Sequence, residues 1–162
     1  MTTPIPDTRK AKKANVAINF GSMKIALFPG SFDPITLGHK AIVERALALF
    51  DKVIVAVGVN SEKKYMFSTE QRVARINEMF ANESRVEAKE YYGMTIDFCH
   101  EVGAQFIVRG IRNAQDLEYE QTIAAVNQKL DPSIDTVILL ADLQHRDISS
   151  TLEREKLTHC HQ

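Results

Sequence analysis

The 162-residue chain has no tryptophan and only two cysteines, Cys99 and Cys160. These two lie far apart and form no C-x-x-C pair, which is typical of a protein kept in a reducing compartment, so we predict a cytoplasmic location. No run of about eighteen apolar residues occurs, so a membrane is not an expected partner. The formal net charge of −1 lacks the basic excess of most duplex-binding proteins, so nucleic acid is not expected as a partner either.

Two widespread phosphate-binding motifs are also missing from the sequence. The chain contains no G-x-x-x-x-G-K-[ST] segment, which argues against a P-loop NTPase. It contains no G-x-G-x-x-G segment at the start of a helix, which argues against a dinucleotide-binding Rossmann protein as well. A phosphate site in this protein must therefore be built in another way.

One stretch has the composition of such a site. Residues 28–39 read FPGSFDPITLGH, follow a short apolar run at 24–27 and precede an amphipathic run at 41–50. This order predicts a strand that enters a helix through a turn, with His39 at the helix entrance. Gly30 allows backbone N–H groups to approach an anion, and the first helical turn adds further donors and a positive dipole end. His39 adds a side-chain donor, so we predict that the turn binds phosphate.

From Met23 onward, strand and helix patterns alternate along the chain. Strands are predicted at 24–29, 52–59, 86–88, 105–108 and 136–140, and helices at 39–50, 68–80, 95–102 and 116–130. The alternation predicts a single α/β domain, a Rossmann-like open parallel five-stranded sheet with helices on both faces. In the last of these helices Tyr119, Ile123, Val126 and Leu130 recur at core spacing, so we expect that face to be buried.

Residues 1–22 differ from the rest of the chain. They carry four basic side chains between Arg9 and Lys13 but no apolar core of signal-peptide length, and Gly21-Ser22 before Met23 is typical of a cloning scar. We predict that residues 1–22 are a disordered leader or tag, with a basic interaction arm as the alternative. Residues 23–162 are predicted to form the folded domain.

The Thr36–His39 segment matches the pattern [HT]-x-G-H, and behind a strand and a Gly-Ser-Phe-Asp-Pro turn it resembles the nucleotidyltransferase superfamily. Three further blocks narrow the resemblance: KKYMF at 63–67, RGIRN at 109–113 followed by DLEYE at 116–120, and ISST at 148–151. Their order and spacing are similar to those of the phosphopantetheine adenylyltransferases, bacterial enzymes of the penultimate step of coenzyme A synthesis. The resemblance runs from Met23 to about Glu155 and implies a nucleotidyltransferase domain over 23–162.

The resemblance implies a set of site residues. His39, Lys63 and Arg109 are the implied catalytic residues, with His39 at the α-phosphate of ATP and the two cations on the phosphate of phosphopantetheine. The implied ATP-binding residues are Ser31, Phe32, His39, Gly110, Ile111, Arg112, Glu120, Ser149, Ser150 and Thr151. The implied residues for the second substrate are Ser31, Lys63, Thr95 and Arg109.

The implied reaction transfers AMP from ATP to 4′-phosphopantetheine by direct in-line attack and gives dephospho-coenzyme A and pyrophosphate. A phosphate monoester is already anionic near neutral pH, so it needs no protein base, and catalysis should rest on positioning and fixed cationic donors. Mg²⁺ would accompany ATP as a cofactor, held by phosphates and water, because no carboxylate cluster suggests protein metal ligands. By analogy we also expect a homo-oligomer, a hexamer in relatives, and coenzyme A as a feedback inhibitor.

Simpler structural interpretations stay open for several of these residues. His39 could serve as a helix cap with no further role, and Lys63 could be a solvated surface lysine. Arg109 and Arg112 could form structural salt bridges with Asp116, Glu118 or Glu120. Asp33 before Pro34 is most simply a turn residue.

Two functional alternatives accompany the enzyme hypothesis. One is a non-catalytic relative that binds coenzyme A or phosphopantetheine. The other is a nucleotidyltransferase for a different acceptor, such as nicotinate mononucleotide or a small alcohol phosphate.

The sequence departs from the family pattern from about residue 141. Relatives carry a proline and an aromatic residue before Ile-Ser-Ser-Ser, whereas residues 141–147 here read ADLQHRD and Thr151 replaces the last serine. Ser150 and Glu153 predict a capping box whose helix start would face the outer phosphates of ATP. Asp147 and Glu153 add negative charge near that predicted anion site, and the chain ends at Gln162, before the closing helix of relatives. We therefore expect weakened ATP binding rather than a changed fold.

The last residues also contain a possible metal motif. His159-Cys160-His161 places three potential metal ligands in a row. Because three adjacent residues of a terminal segment rarely form a metal site, we interpret them as solvated tail and predict no protein metal site.

Overall fold

The computed structural model describes residues 22–159. The predicted leader, apart from Ser22, and two residues of the His159-Cys160-His161 run lie outside the described residues. Within them the strands are β1 (Ile25–Gly30), β2 (Lys52–Val59), β3 (Val86–Tyr92), β4 (Phe106–Ile111) and β5 (Asp135–Leu140). The helices are α1 (Leu37–Ala46), α2 (Thr69–Met79), α3 (Thr95–Val102), α4 (Ala114–Leu130) and α5 (Ser150–His159), and a 3₁₀ turn covers Leu143–His145.

The five strands of residues 22–159 form one sheet in the order β3-β2-β1-β4-β5, and every pair is parallel. The chain first adds strands on one side of β1 and then returns to add β4 on the other side. The carboxyl ends of β1 and β4 therefore flank the point at which the strand order reverses, where open α/β sheets bind their ligands. The predicted fold class is confirmed.

Both faces of the sheet are covered because successive strand residues point to opposite sides. Val53, Val55 and Val57 belong to a core that includes residues of α1 and α2. Ile54 and Ala56, which alternate with them, belong to a second core that includes Ile96, Phe98 and Cys99 of α3. None of the helices between residues 22 and 159 combines the length and apolar composition needed to cross a bilayer.

Local signals fix several element bounds. The predicted cap of α2 is confirmed, since Ser68 Oγ accepts a hydrogen bond from Gln71 N (3.2 Å) and Gln71 Oε1 accepts one from Ser68 N (2.9 Å). Helix α3 begins and ends where predicted, with Gly103 after its last residue. Strand β4 runs past its predicted end through Arg109 and Gly110 to Ile111. A Cβ at Gly110 would lie 2.9 Å from Ile42 Cγ1, so the glycine lets α1 pack closely against this strand.

The predicted buried face of α4 is wrong. Glu120 is the buried residue of this helix among the described residues, whereas Tyr119, Val126 and Leu130 are at least half exposed. Helix α4 packs over β4 and the edge strand β5, and its few contacts with them leave much of its apolar stripe uncovered. Helical spacing identifies an apolar stripe but does not say which surface covers it.

Candidate active site

Two adjoining cavities open at the carboxyl ends of the strands. We call the first, of about 330 Å³, the Lys63 cavity, because Lys63 and Thr95 line it together with residues of β2 and α4. We call the second, of about 420 Å³, the His39 cavity, because His39 lines it together with residues of β4 and the start of α5. Six residues line both cavities and form a shared wall: Pro29, Gly30, Ser31, Arg109, Tyr119 and Glu120.

The predicted site residues are distributed between these cavities, with one exception. Those that line only the His39 cavity are Phe32, His39, Gly110, Arg112, Ser149, Ser150 and Thr151. The exception is Ile111, whose buried side chain lines a separate cavity with Leu117 and Leu140. Neighbouring strand residues point to opposite faces, so only the backbone of Ile111 can contribute to the site beside Gly110.

His39 both caps α1 and lines its cavity. Its backbone N–H donates to Thr36 Oγ1 (3.3 Å), and Thr36 N–H donates to His39 Nδ1 (3.0 Å), which completes a capping box. Because Nδ1 accepts this bond, the proton of a neutral imidazole belongs on Nε2. The capping role and the phosphate-donor role are thus compatible, since each uses a different ring nitrogen.

The charge state of His39 follows from its surroundings. Burial lowers the pKa of the imidazole from its usual 6.5 to about 4, and the nearby guanidinium groups of Arg109 and Arg112 act in the same direction. At neutral pH the ring is therefore an uncharged hydrogen-bond donor. The involvement of both arginines also shows that the three side chains share one electrostatic environment.

Phe32 holds the His39 ring from one side. The Phe32 ring meets that of His39 edge-on at 5.0 Å between centroids, and it meets Phe28 in the same way at 5.3 Å. Phe32 is 3% exposed and has a φ of +47°, a left-handed conformation that is costly for a bulky side chain. A Cβ at Gly30 would lie 3.0 Å from this ring, so the glycine makes room for it.

Arg109 is fixed at the shared wall by a carboxylate. Its Nε and Nη2 donate to the two oxygens of Glu120 (2.9 and 2.7 Å), and its Nη1 donates to the carbonyl of Pro29. Three of the five guanidinium N–H groups are used in this way, which leaves two without a partner within residues 22–159. Glu120 is 5% exposed, so its direct contact is with Arg109.

Arg112 is paired too, through a less buried contact. Its Nε donates to Asp116 Oδ2 (3.1 Å), and its backbone N–H donates to the same oxygen (2.9 Å). The structural salt bridges considered as an alternative therefore exist for both arginines. They do not remove either side chain from the His39 cavity, because both arginines still line it.

Lys63 lies on an exposed turn, and the segment after it is held by Asp33, which the sequence suggested was only a turn residue. The buried carboxylate of Asp33 accepts hydrogen bonds from Met66 N (2.8 Å) and Phe67 N (2.9 Å). Asp33 is thus more than a turn residue, because it ties the segment after Lys63 to the turn that precedes α1. Thr95, across the cavity, shares a hydrogen bond with the hydroxyl of Tyr91 (3.1 Å).

The start of α5 is capped differently from the prediction. Ser149 Oγ accepts a hydrogen bond from Leu152 N (3.2 Å), whereas the Ser150 hydroxyl donates to the carbonyl of Pro34 (2.8 Å). The predicted Ser150–Glu153 capping box is wrong because Ser150 is already the first residue of the helix, and the capping position belongs to Ser149. Glu153 instead pairs with Lys156 (2.9 Å), and neither it nor Asp147 lines the His39 cavity.

Comparison with known proteins places the chain in a family. A sequence profile described as cytidylyltransferase-like matches residues 27–156. A phosphopantetheine adenylyltransferase of Christiangramia forsetii is 51% identical over 137 residues, which cover 85% of this chain and 90% of that protein. The chain belongs to the phosphopantetheine adenylyltransferase family. A member from Leuconostoc citreum is 49% identical over 133 residues, 82% of this chain and 84% of that protein.

Solved structures support the fold at a greater distance. A putative nicotinate-nucleotide adenylyltransferase of Vibrio parahaemolyticus superposes with a TM-score of 0.64 at 20% identity, over 84% of this chain and 81% of that one. Similarity at this level shows a shared fold only. The choice of this family over others with the same fold rests on the sequence matches.

One residue close to the family's site motifs was missed by sequence reasoning. Arg72 is 1% exposed and donates to the carbonyls of Ser31 and Gly58, behind the walls of the cavities. It lies in α2 among other polar residues, where an arginine usually faces solvent, so no sequence signal marks it as buried.

The lowered pKa of His39 predicts a pH dependence of stability. Between pH 6.5 and about 4 the unfolded chain binds a proton on this residue that the folded protein does not. The stabilisation is therefore fully present above pH 6.5 and is lost as the pH falls toward 4. Urea unfolding of the wild type and His39→Gln at several pH values measures the difference, which should shrink toward acidic pH. Parallel pH profiles for the two proteins would contradict the prediction.

Proposed function

We propose that this chain transfers the adenylyl group of ATP to 4′-phosphopantetheine and releases dephospho-coenzyme A and pyrophosphate. The observation that carries this proposal is the pair of cavities with a shared wall. A reaction between two phosphate compounds needs two compartments that meet where the phosphates react. Membership of the family supports the choice of these two substrates.

The proposed placement follows the positive charges and the hydrogen-bond donors of the two cavities. The phosphate of phosphopantetheine lies between Lys63 and Arg109, and the α-phosphate of ATP lies at His39 with the outer phosphates toward α5. An oxygen of the acceptor phosphate attacks the α-phosphorus, the bond from that phosphorus to the oxygen bridging to the β-phosphate breaks, and pyrophosphate leaves with the electron pair. The acceptor is already anionic, so no protein base takes part.

The role of Arg109 and of His39 follows from the surroundings of each side chain. Arg109 is held by Glu120 and keeps two N–H groups for the reacting phosphates at the shared wall. His39 offers Nε2–H to the oxygens on which negative charge grows in the transition state. A fixed donor of this kind stabilises the transition state because it needs no reorganisation as the charge develops. A bound nucleotide would also raise the pKa of His39, since a nearby negative charge favours the cation.

We also propose that Mg²⁺ accompanies ATP. No group of three potential metal-binding side chains occurs within residues 22–159, and the nearest carboxylates, Asp116 and Glu120, are engaged by arginines. The ion would therefore be held by the phosphates and water, as is usual for Mg²⁺ with nucleotides. Its contribution when bound is to neutralise the charge on the leaving pyrophosphate.

Further proposals concern assembly, regulation and location. We propose a homo-oligomer, hexameric by analogy with the family, and the half-exposed apolar side chains of α4 support such an association. Coenzyme A is proposed as a feedback inhibitor because it carries the same pantetheine arm as the acceptor. The proposed location is the cytoplasm.

A pyrophosphate-release assay tests the function directly. With ATP and Mg²⁺, release should require 4′-phosphopantetheine and should not occur with nicotinate mononucleotide or a small alcohol phosphate. Pyrophosphate release with nicotinate mononucleotide or a small alcohol phosphate in the absence of phosphopantetheine would overturn the choice of substrate. Binding of phosphopantetheine and coenzyme A in calorimetry without any turnover would instead support a non-catalytic relative.

The same assay extends to the other proposals. Chelation of Mg²⁺ should abolish release, and added coenzyme A should inhibit it. Sedimentation velocity of the purified protein measures the assembly, and a monomer at micromolar concentration would contradict the proposed oligomer.

A further inference from the structure

Arg72 is a buried cation behind the active site. Its Nη1 donates to the carbonyls of Ser31 (2.8 Å) and Gly58 (3.2 Å), and its Nη2 donates to Thr69 Oγ1 (3.2 Å). Ser31 lies in the shared wall, and Gly58 lines the Lys63 cavity from the end of β2. One guanidinium group therefore links two different strand ends of the site.

The same group supports the turn that carries Lys63. The guanidinium carbon of Arg72 lies 3.9 Å from the centroid of the Tyr65 ring, in a cation–π arrangement. The hydroxyl of Tyr65 accepts a hydrogen bond from Asn60 N (3.1 Å), and the carbonyl of Asn60 accepts one from Lys63 N (3.1 Å). A continuous series of contacts thus leads from Arg72 through Tyr65 and Asn60 to the backbone of Lys63.

The charge of Arg72 is not balanced by a carboxylate. Within residues 22–159 no acidic side chain lies within salt-bridge distance of it, although Arg109, Arg112 and Arg154 each have such a partner. Its Nε also has no hydrogen-bond partner in this part of the chain. Burial of an unpaired guanidinium is costly, so its contacts with the walls of the site must offset that cost.

We propose that Arg72 is a positioning residue, which fixes Lys63 relative to Ser31 through the ring of Tyr65. Lysine is a flexible side chain, and its reach toward a phosphate depends on where its backbone is held. The planar guanidinium suits this role because it donates in its plane to two carbonyls while its face stacks on an aromatic ring. The inference rests on the proposed function, because Lys63 matters here as a ligand of the acceptor phosphate.

The test compares Arg72→Met and Arg72→Lys with the wild type in the pyrophosphate-release assay. Arg72→Met should raise KM for phosphopantetheine and lower kcat/KM for it by up to about 10²-fold, because a small displacement of a positioning group has effects of that size. KM for ATP should change less, since Tyr65 and Lys63 line only the Lys63 cavity and, of the residues that Arg72 contacts, only Ser31 also lines the His39 cavity. Arg72→Lys keeps the charge and one donor and should recover part of the loss.

Arg75→Met is the matched control. Arg75 lies one turn further along α2 and stacks on the ring of Phe67 at 4.1 Å, but it is exposed and lines neither cavity. Arg75→Met therefore removes the same kind of cation–π contact as Arg72→Met, but at a residue that does not contact the walls of the site. Its kinetic constants should equal those of the wild type, and a change as large as that of Arg72→Met would overturn the proposal.

Tyr65→Leu covers the case in which Arg72→Met does not fold. It removes the ring between the guanidinium and the Lys63 turn and should reproduce the rise in KM for phosphopantetheine with KM for ATP kept. The positioning role would be overturned if Tyr65→Leu and Arg72→Lys each changed KM for phosphopantetheine and KM for ATP equally, or if each changed neither. Absence of turnover in the wild type would refute the proposed function itself, which separates the two failures.

Discussion

Replacement of His39 by alanine is expected to lower kcat for pyrophosphate release by about 10²–10³-fold, the usual effect of removing one fixed donor from a developing anion. The structure supports this size of effect because Nδ1 is used in the capping box and fixes the proton on Nε2. The ring is also held edge-on by Phe32. Steady-state kinetics and calorimetry with both substrates measure the change, and substrate binding should persist.

The helix cap itself needs a control, since His39→Ala also removes a capping side chain. Gln71 occupies the same position in the capping box of α2 and lines neither cavity. Gln71→Ala should lose about 1 kcal/mol of stability or less and keep full turnover. If His39→Ala retained the turnover of the wild type, the role of the imidazole at the α-phosphate would be refuted.

The second large effect is expected at the ion pair of Arg109 and Glu120. Arg109→Met should lower kcat/KM by about 10²–10³-fold, because it removes the cation of the shared wall. It should also lower the free energy of unfolding by about 3 kcal/mol, because it leaves the buried carboxylate of Glu120 unpaired. Glu120→Met should have a similar effect on stability, and it should reduce turnover because Arg109 loses the partner that orients it.

A double variant separates the two consequences. Arg109→Met combined with Glu120→Met replaces the pair by apolar side chains, which usually restores stability because no unpaired buried charge remains. Turnover should stay as low as in Arg109→Met. Urea unfolding and steady-state kinetics on the same four proteins give both quantities. Recovery of turnover together with stability would show that Arg109 acts only as a structural residue.

The fold was predictable because its signals are local and repeated. The continuous β-branched run of β2, the capping box at Ser68 and the glycine after α3 each identify an element. The position of the site was predictable as well, because each motif lies at or after the carboxyl end of a strand and parallel strands end at the same edge. The placement of His39 and Lys63 in adjoining cavities agrees with that expectation.

Other features depend on which surfaces meet, which local patterns do not encode. The exposure of Tyr119 and Val126 follows from the packing of α4 over the edge strand β5. The sequence left Asp116, Glu118 and Glu120 open as partners of the arginines, and only the packing of α4 against β4 selects Glu120 for Arg109. Arg72 was missed for the same reason, since its carbonyl partners lie on two separate strand ends.

The shared wall of the two cavities also bears on the release of the product after the chemical step. In the proposed placement, each substrate binds in its own cavity and loses its own translational freedom when it binds. In that placement the joined product would occupy both cavities at once, so its second half would bind as an intramolecular event at a high effective concentration. The arrangement that brings the two substrates together would therefore also hold the product, and we expect product release to contribute to the rate of the whole cycle.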